Sequence, residues 1–320
     1  MRVILTFDVE VWCKSWKCMD ADFPQAFSRH IYGRSKAGDY ALPRIFEILK
    51  RNDLRCVFFV EPLFAARFGR EYLDTIVLLI RDAGHDVEFH LHPEWTDEIH
   101  PRVLPDIPGK RQHLCYYSRD EQVRLIAMGK ELLRQASGED PTVFRAGSFA
   151  ANRDTFAALA QNGIFQDSSI DATRPYSVAD MREFWDVQGS SKIGPVNVYP
   201  LSVFHDGFGR LRHAQIGACS GWELVQAMEK AKALGWSHFV ILSHNFEMLK
   251  PGSAEPDWIV VRRFEQFCAF LGRHKDRFVV GNFDGLADKP APAVPVTLPR
   301  VGLPATGRRY AEQALRRAYT

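Results

Sequence analysis

The sequence predicts an α/β fold, a distorted (β/α)7-type barrel of parallel strands with helices outside. Three observations carry this. Short runs of β-branched and aromatic residues, such as Val3, Ile4, Leu5 and Phe7, are apolar at successive positions, as in strands covered on both faces. These runs alternate with helical stripes at the spacing of βαβ units, which implies a parallel sheet. The number of units favours a sheet closed on itself over an open one.

The bulk properties agree with one large domain. The chain has 320 residues, 46% hydrophobic and 25% charged, with a formal net charge of +2. Nothing there suggests a nucleic-acid footprint, and no apolar run reaches the length of a membrane span. The N-terminus enters a strand without a leader pattern, so the cytoplasm is the expected location. Six cysteines without a C-x-x-C pair read as free thiols.

In order, residues 1–10 form a buried strand ending in Asp8 and Glu10, which share a face because they lie two apart. Residues 11–39 read as a long aromatic loop with Trp12, Trp16, Phe23 and Tyr32, an ordered lid or wall over a site. A helix over 40–52 carries Leu42, Ile45, Phe46 and Leu49 on one stripe, and 55–60 is the second strand. A helix through Tyr72, Ile76, Leu79 and Ile80 stops at Gly84, a C-cap. Val87, Phe89 and Leu91 then alternate with Glu88, His90 and His92, so both imidazoles lie on one face, and Pro93 ends the ladder.

Ser118 with Glu121 is a capping box opening a helix to about 135. A strand over 141–147, a helix over 152–162 and a short strand around Asp167 follow. Residues 171–194 read as irregular, 196–204 as a strand, 221–234 as a helix and 237–244 as a buried strand ending in His244. Val260, Phe264, Phe267 and Leu271 mark the next helix, and 277–281 the last strand. The barrel is thus placed at 1–286, a Pro/Ala-rich linker at 287–307 and a short basic helix or tail at 308–320, read as solvated.

Polar residues close several strands: Asp8 and Glu10, His90 and His92, Arg145, Asp167, and His244. A lone strand-end histidine is usually structural, yet carboxylates and imidazoles at several ends of one sheet suggest a site. A carboxylate with two imidazoles is the ligand set of hydrolytic zinc centres.

These residues resemble the polysaccharide deacetylase (NodB-homology, carbohydrate esterase) family. Thr6-Phe7-Asp8-Val9-Glu10 looks like its Thr-Phe-Asp-Asp motif. Gly84-His85-Asp86-Val87 with His90 is similar to the stretch leading to its histidine motif. Phe144-Arg145-Ala146-Gly147-Ser148-Phe149, with Asn152 beyond, resembles its Arg-Pro-Pro-Tyr segment, and Ile241-Leu242-Ser243-His244 the strand of its late histidine. The flavour of Phe-Asp-Val-Glu-Val-Trp and His-Leu-His-Pro-Glu-Trp is closest to the lipopolysaccharide and surface-polysaccharide biosynthesis branch.

The resemblance implies a metal-dependent hydrolase, with a divalent metal, commonly zinc, that removes N-acetyl groups from sugars of a bacterial surface polysaccharide or its precursor. Asp8 takes the place of the base. Val9 replaces the usual aspartate ligand, so Glu10, His90 and His92 are the expected ligands, with Asp8 and Glu94 as alternates. Arg145 would orient Asp8, the backbone N–H near Ser148 would help hold the oxyanion, and His244, paired with Asp167, would protonate the amine. Asp167 reads equally well as a turn-forming residue with Ser168 and Ser169. Trp12 and Trp95, beside the motifs, are candidates for stacking on sugar rings. The alternatives are a C–N hydrolase of the cyclic-amide or amidohydrolase type acting on a small molecule, and a degenerate barrel that binds glycan without turning it over.

Overall fold

Val3, Ile4, Leu5, Phe7 and Val9 are all buried in a strand, Arg2–Val9, flanked by parallel neighbours on both edges. Covering such side chains is worth roughly 1.5–3 kcal/mol each, which is why an uninterrupted apolar run makes a central strand. On one edge lies His238–His244, with Arg2 opposite His238 and Asp8 opposite His244; on the other lies Val279–Val280. The computed structural model describes residues 1–105, 109–173, 191–286 and 297–319.

Two units divide the chain. The first comprises Met1–Val57, Ser202–Asn282 and Thr297–Thr320; the second comprises Phe58–Leu201 and Phe283–Val296. Around the first unit's strands pack the helices Leu42–Arg51, Gly221–Ala233, Trp258–Arg273 and Leu303–Tyr319. Ser220 and Glu223 close a capping box on the second of these, and Asp257 caps the third. In the second unit the strands follow the order Val57–Val60, Asp86–Leu91, Val143–Ala146, Gln166–Asp167, Val196–Val198 and Ser191–Ile193. Asp86–Leu91 through Val196–Val198 pair in parallel, and the last pair is antiparallel. Helices Arg70–Asp82, Arg119–Ser137 and Arg153–Gln161 accompany them, the middle one opened by the Ser118–Glu121 capping box. None of the six cysteines is in a disulfide.

Three expectations need correction. The aromatic stretch after the first strand is not a loop throughout: Met19–Phe27 is a helix containing Pro24, continuing into a wider turn at Ser28–Tyr32. Pro24 has no N–H to donate, which obscured the helix in the sequence. Gly33 then ends it at φ 62, where a Cβ would stand 2.7 Å from the Ala41 nitrogen. Residues 196–204 form two strands, Val196–Val198 and Val203–His205, the latter in a hairpin with Leu211–His213.

The chain end is also different. The helix expected from 308 begins at Leu303 and is docked rather than solvated. Arg309, only 3% exposed, ion-pairs with Glu223 at 3.0 Å and Asp206 at 2.7 Å, both fully buried. Glu312 pairs with Arg263 at 2.6 Å and Arg316 with Asp257 at 2.6 Å. Residues 287–296 of the expected linker lie outside the described residues, and its end is hydrogen-bonded: Val301 donates to the His205 carbonyl.

Candidate active site

In the first unit, the parallel register brings Asp8 beside His244. One ligand atom each of Asp8, Glu10 and His244 lies within 4.8 Å of the others, a spacing that one cation could bridge. Asn245, completely buried, fixes the chain where the strand ends: its side chain accepts from the Glu10 N–H and donates to the Glu10 and His30 carbonyls. The Trp12 indole N–H donates to the Glu10 carboxylate at 2.6 Å. Trp12 therefore orients an acid as well as forming a wall.

His244 engages Glu247 through Nδ1 at 2.9 Å, not Asp167. Glu247 also accepts from the Gly217 N–H, Ser243 and Gln215, so its charge is well satisfied. Burial works to lower the His244 pKa, but the Glu247 hydrogen bond and the charges of Glu10, Glu247 and Asp8 outweigh it and lift the imidazole to about 9. At neutral pH this ring is a protonated donor with its Nδ1 committed, leaving Nε2 to act.

In the second unit, His90 and His92 stand with ring centroids 4.8 Å apart, as the alternation predicted, and both are buried. His90 Nδ1 lies 2.8 Å from the Arg145 carbonyl, and His92 Nδ1 lies 3.2 Å from a Glu94 oxygen. Both acceptors are oxygens, so each Nδ1 carries a hydrogen. Glu94 thus sits behind His92. Gly147 completes the packing, since a Cβ there would come within 2.6 Å of the His92 ring.

Arg145, fully buried, donates to the Ser168 carbonyl and hydroxyl and lies 4.1 Å over the Phe59 ring. Ser148 and Phe149 both adopt left-handed backbone, φ 56 and 57, unusual for residues with a Cβ. Such strain is concentrated at functional sites. Trp95 is 1% exposed and packs edge-on against Phe68, so it is core rather than a sugar platform. Its apolar neighbours are distant in sequence, which is why adjacency to the motif misled.

Asp167 takes the turn-forming role: its carboxylate accepts from the Ser169 N–H at 2.8 Å and hydroxyl at 2.5 Å. Burial pushes its pKa up to about 7, although the Ser169 bonds and Arg145 pull the other way. The folded state therefore holds this proton more tightly than the unfolded chain. The contribution of this group to stability is full below about pH 4 and is lost as the pH rises through about 7. Asp167→Asn is expected to remove that decline, a difference on the order of 2–4 kcal/mol between the extremes. Urea midpoints at pH 5 and pH 8 check this; parallel slopes for variant and parent would refute it.

The sequence reading passed over Glu247 and Asn245. Their signal was the polar run Ser243-His244-Asn245-Phe246-Glu247 directly after a buried strand. It also passed over Glu61, buried in the second unit, whose pKa burial pushes up to about 8 against hydrogen bonds from the Leu63 and Phe64 N–H groups.

Residues 36–166 match the family model of polysaccharide deacetylase. No curated protein matches the chain by sequence. Among solved structures, one from Mycobacterium smegmatis assigned to the polysaccharide deacetylases is 20% identical, covers 94% of each chain and has a TM-score of 0.57. The peptidoglycan N-acetylglucosamine deacetylase Bc1960 is 17% identical over 87% of this chain and 85% of its own, with a TM-score of 0.43. A CE4 family pseudoenzyme from Bacillus anthracis, BA3943, is 14% identical over 89% of this chain and 64% of its own, with a TM-score of 0.44. The first of these likenesses shows the fold, the α/β barrel class expected from the sequence.

Proposed function

We propose that this chain, which carries a polysaccharide deacetylase domain over residues 36–166, is a divalent-metal-dependent hydrolase of N-acetyl groups on sugars of a bacterial surface polysaccharide or its precursor. The observation that carries the reading is His244 held by Glu247 at 2.9 Å, with a ring nitrogen within 4.8 Å of the Asp8 and Glu10 carboxylates. An acid and a base set side by side in this way are what amide cleavage needs. A cytoplasmic site of action belongs to the same proposal.

The residues fit a metal. Two imidazoles, each with its Nδ1 turned to an oxygen acceptor, together with a carboxylate are the N, N, O donor types of hydrolytic zinc sites. Glu10, His90 and His92 are the proposed ligands, with Asp8 as the alternate; Glu94 moves from reserve ligand to the partner that orients His92. When bound, a metal of this kind supplies Lewis acidity at the amide carbonyl and eases ionisation of water. Asp8 takes the proton from the attacking water. His244 delivers its Nε2 proton to the departing amine, and Glu247 stabilises the imidazolium until it does. The strained turn at Ser148 offers backbone N–H to the developing oxyanion, a contribution of about 3 kcal/mol where such a donor is in place. Arg145 supplies fixed positive charge.

The decisive experiment measures metal content by elemental analysis together with acetate release from N-acetylated oligosaccharides. One bound divalent ion, and activity lost on chelation and restored by zinc, is the expected result. A metal-free protein without acetate release points instead to the glycan-binding alternative. Glu94→Ala is expected to weaken metal affinity by about 10–100-fold, because His92 loses the acceptor that fixes its tautomer. Competition against a chromophoric chelator reads this without reference to turnover; unchanged affinity removes Glu94 from the site.

A further inference from the structure

A cleft of about 520 Å³ opens in the first unit beside the His244–Glu247 pair. Sites of this size take sugars or small oligosaccharide ends. Two aromatic side chains, Trp12 and Phe246, stand in its wall, both half-buried. Phe246 stacks on the His244 imidazole, ring centroids 5.4 Å apart, and Trp12 is hydrogen-bonded to Glu10. The cleft therefore reaches the proposed acid, His244, and the Glu10 carboxylate through side chains that touch them.

Its charge is lopsided. Arg29, Lys250 and Arg316 line it, against the single carboxylate of Glu247. Glu247 is committed to His244 and to the Gly217 N–H, and Arg316 to Asp257. Among the described residues no carboxylate pairs with Arg29 or Lys250. Arg29 donates to the Trp12 carbonyl and neighbours His30, while Lys250 donates to the Tyr319 carbonyl. The neighbouring His30 is held neutral, its pKa lowered to about 4 by burial and by Arg29. Two cations without counter-charges beside an aromatic wall suit a pyranose that carries an anion.

We propose that this cleft binds an anionic group, a phosphate ester or a carboxylate, attached next to the N-acetylated sugar, so that the substrate is an acidic glycan or glycosyl phosphate rather than a neutral chitin-like chain. The inference rests on the deacetylase reading for its direction and on the cleft alone for its chemistry. Trp12 and Phe246 would hold the sugar ring, while Arg29 and Lys250 hold the anion.

Three probes test it: N,N′-diacetylchitobiose, which is neutral; N-acetylglucosamine 1-phosphate; and a disaccharide of N-acetylglucosamine with glucuronic acid. With the metal-loaded wild-type enzyme, kcat/KM for acetate release is expected to be about tenfold or more higher on at least one anionic probe, the gap closing with added salt. The better of the two anionic probes identifies the anion as phosphate or carboxylate. Arg29→Glu and Lys250→Glu should erase the preference through a raised KM on the anionic probes. Equal rates on neutral and anionic probes, or a uniform loss in both variants, overturn the inference while the deacetylase reading stands. If no probe releases acetate, that reading fails by itself. Calorimetric binding of the same probes to wild type and to Arg29→Glu then decides the cleft: an anion preference lost in the variant supports it, and no preference overturns it.

Discussion

Asp8→Asn is expected to lower kcat for acetate release by about 10²–10⁴-fold, the range over which a positioned general base acts. Asp8 is 2% exposed and stands in register with His244, so the amide fits the same space without repacking the strand. The asparagine has no anionic oxygen with which to take a proton from water. Metal content, measured on the same preparation, separates two roles for the residue. Full occupancy with lost turnover makes Asp8 the base, and lost occupancy makes it a ligand. Undiminished turnover refutes the mechanism.

Arg309→Ala is expected to destabilise the first unit by roughly 3–5 kcal/mol. The guanidinium neutralises Glu223 and Asp206, and all three are buried. Truncation would leave two carboxylates facing a low-dielectric interior. Glu223 keeps its capping bond from the Ser220 N–H, and Asp206 keeps those from Phe208 and Arg210, which limits the loss. A shift of the denaturant midpoint measures the effect. A cost below about 1 kcal/mol, the level of exposed pairs, would mean that the last helix is held by other contacts.

Much of the strand and helix pattern was legible because burial and period act locally. The run ending at Asp8 and Glu10, the alternation of His90 and His92, and the capping box at Ser118 each announce themselves within ten residues. What was missed depends on distant partners. The tail looked solvated because Arg309 meets Asp206 and Glu223 more than eighty residues away. Trp95 looked like a platform because Phe68, against which it packs, is far back in the chain. The acid's true companion was Glu247, three residues from His244, hidden because a residue just past a strand end reads as an ordinary turn.

Gly147 carries a consequence for how this site could have diverged. The segment resembling Arg-Pro-Pro-Tyr has a bare backbone where that pattern has a ring, and the vacated volume is filled by the His92 imidazole. A proline placed at 147 would evict that imidazole. The bare position and the second histidine are therefore coupled in this chain: any side chain placed at 147 obliges the His92 ring to move.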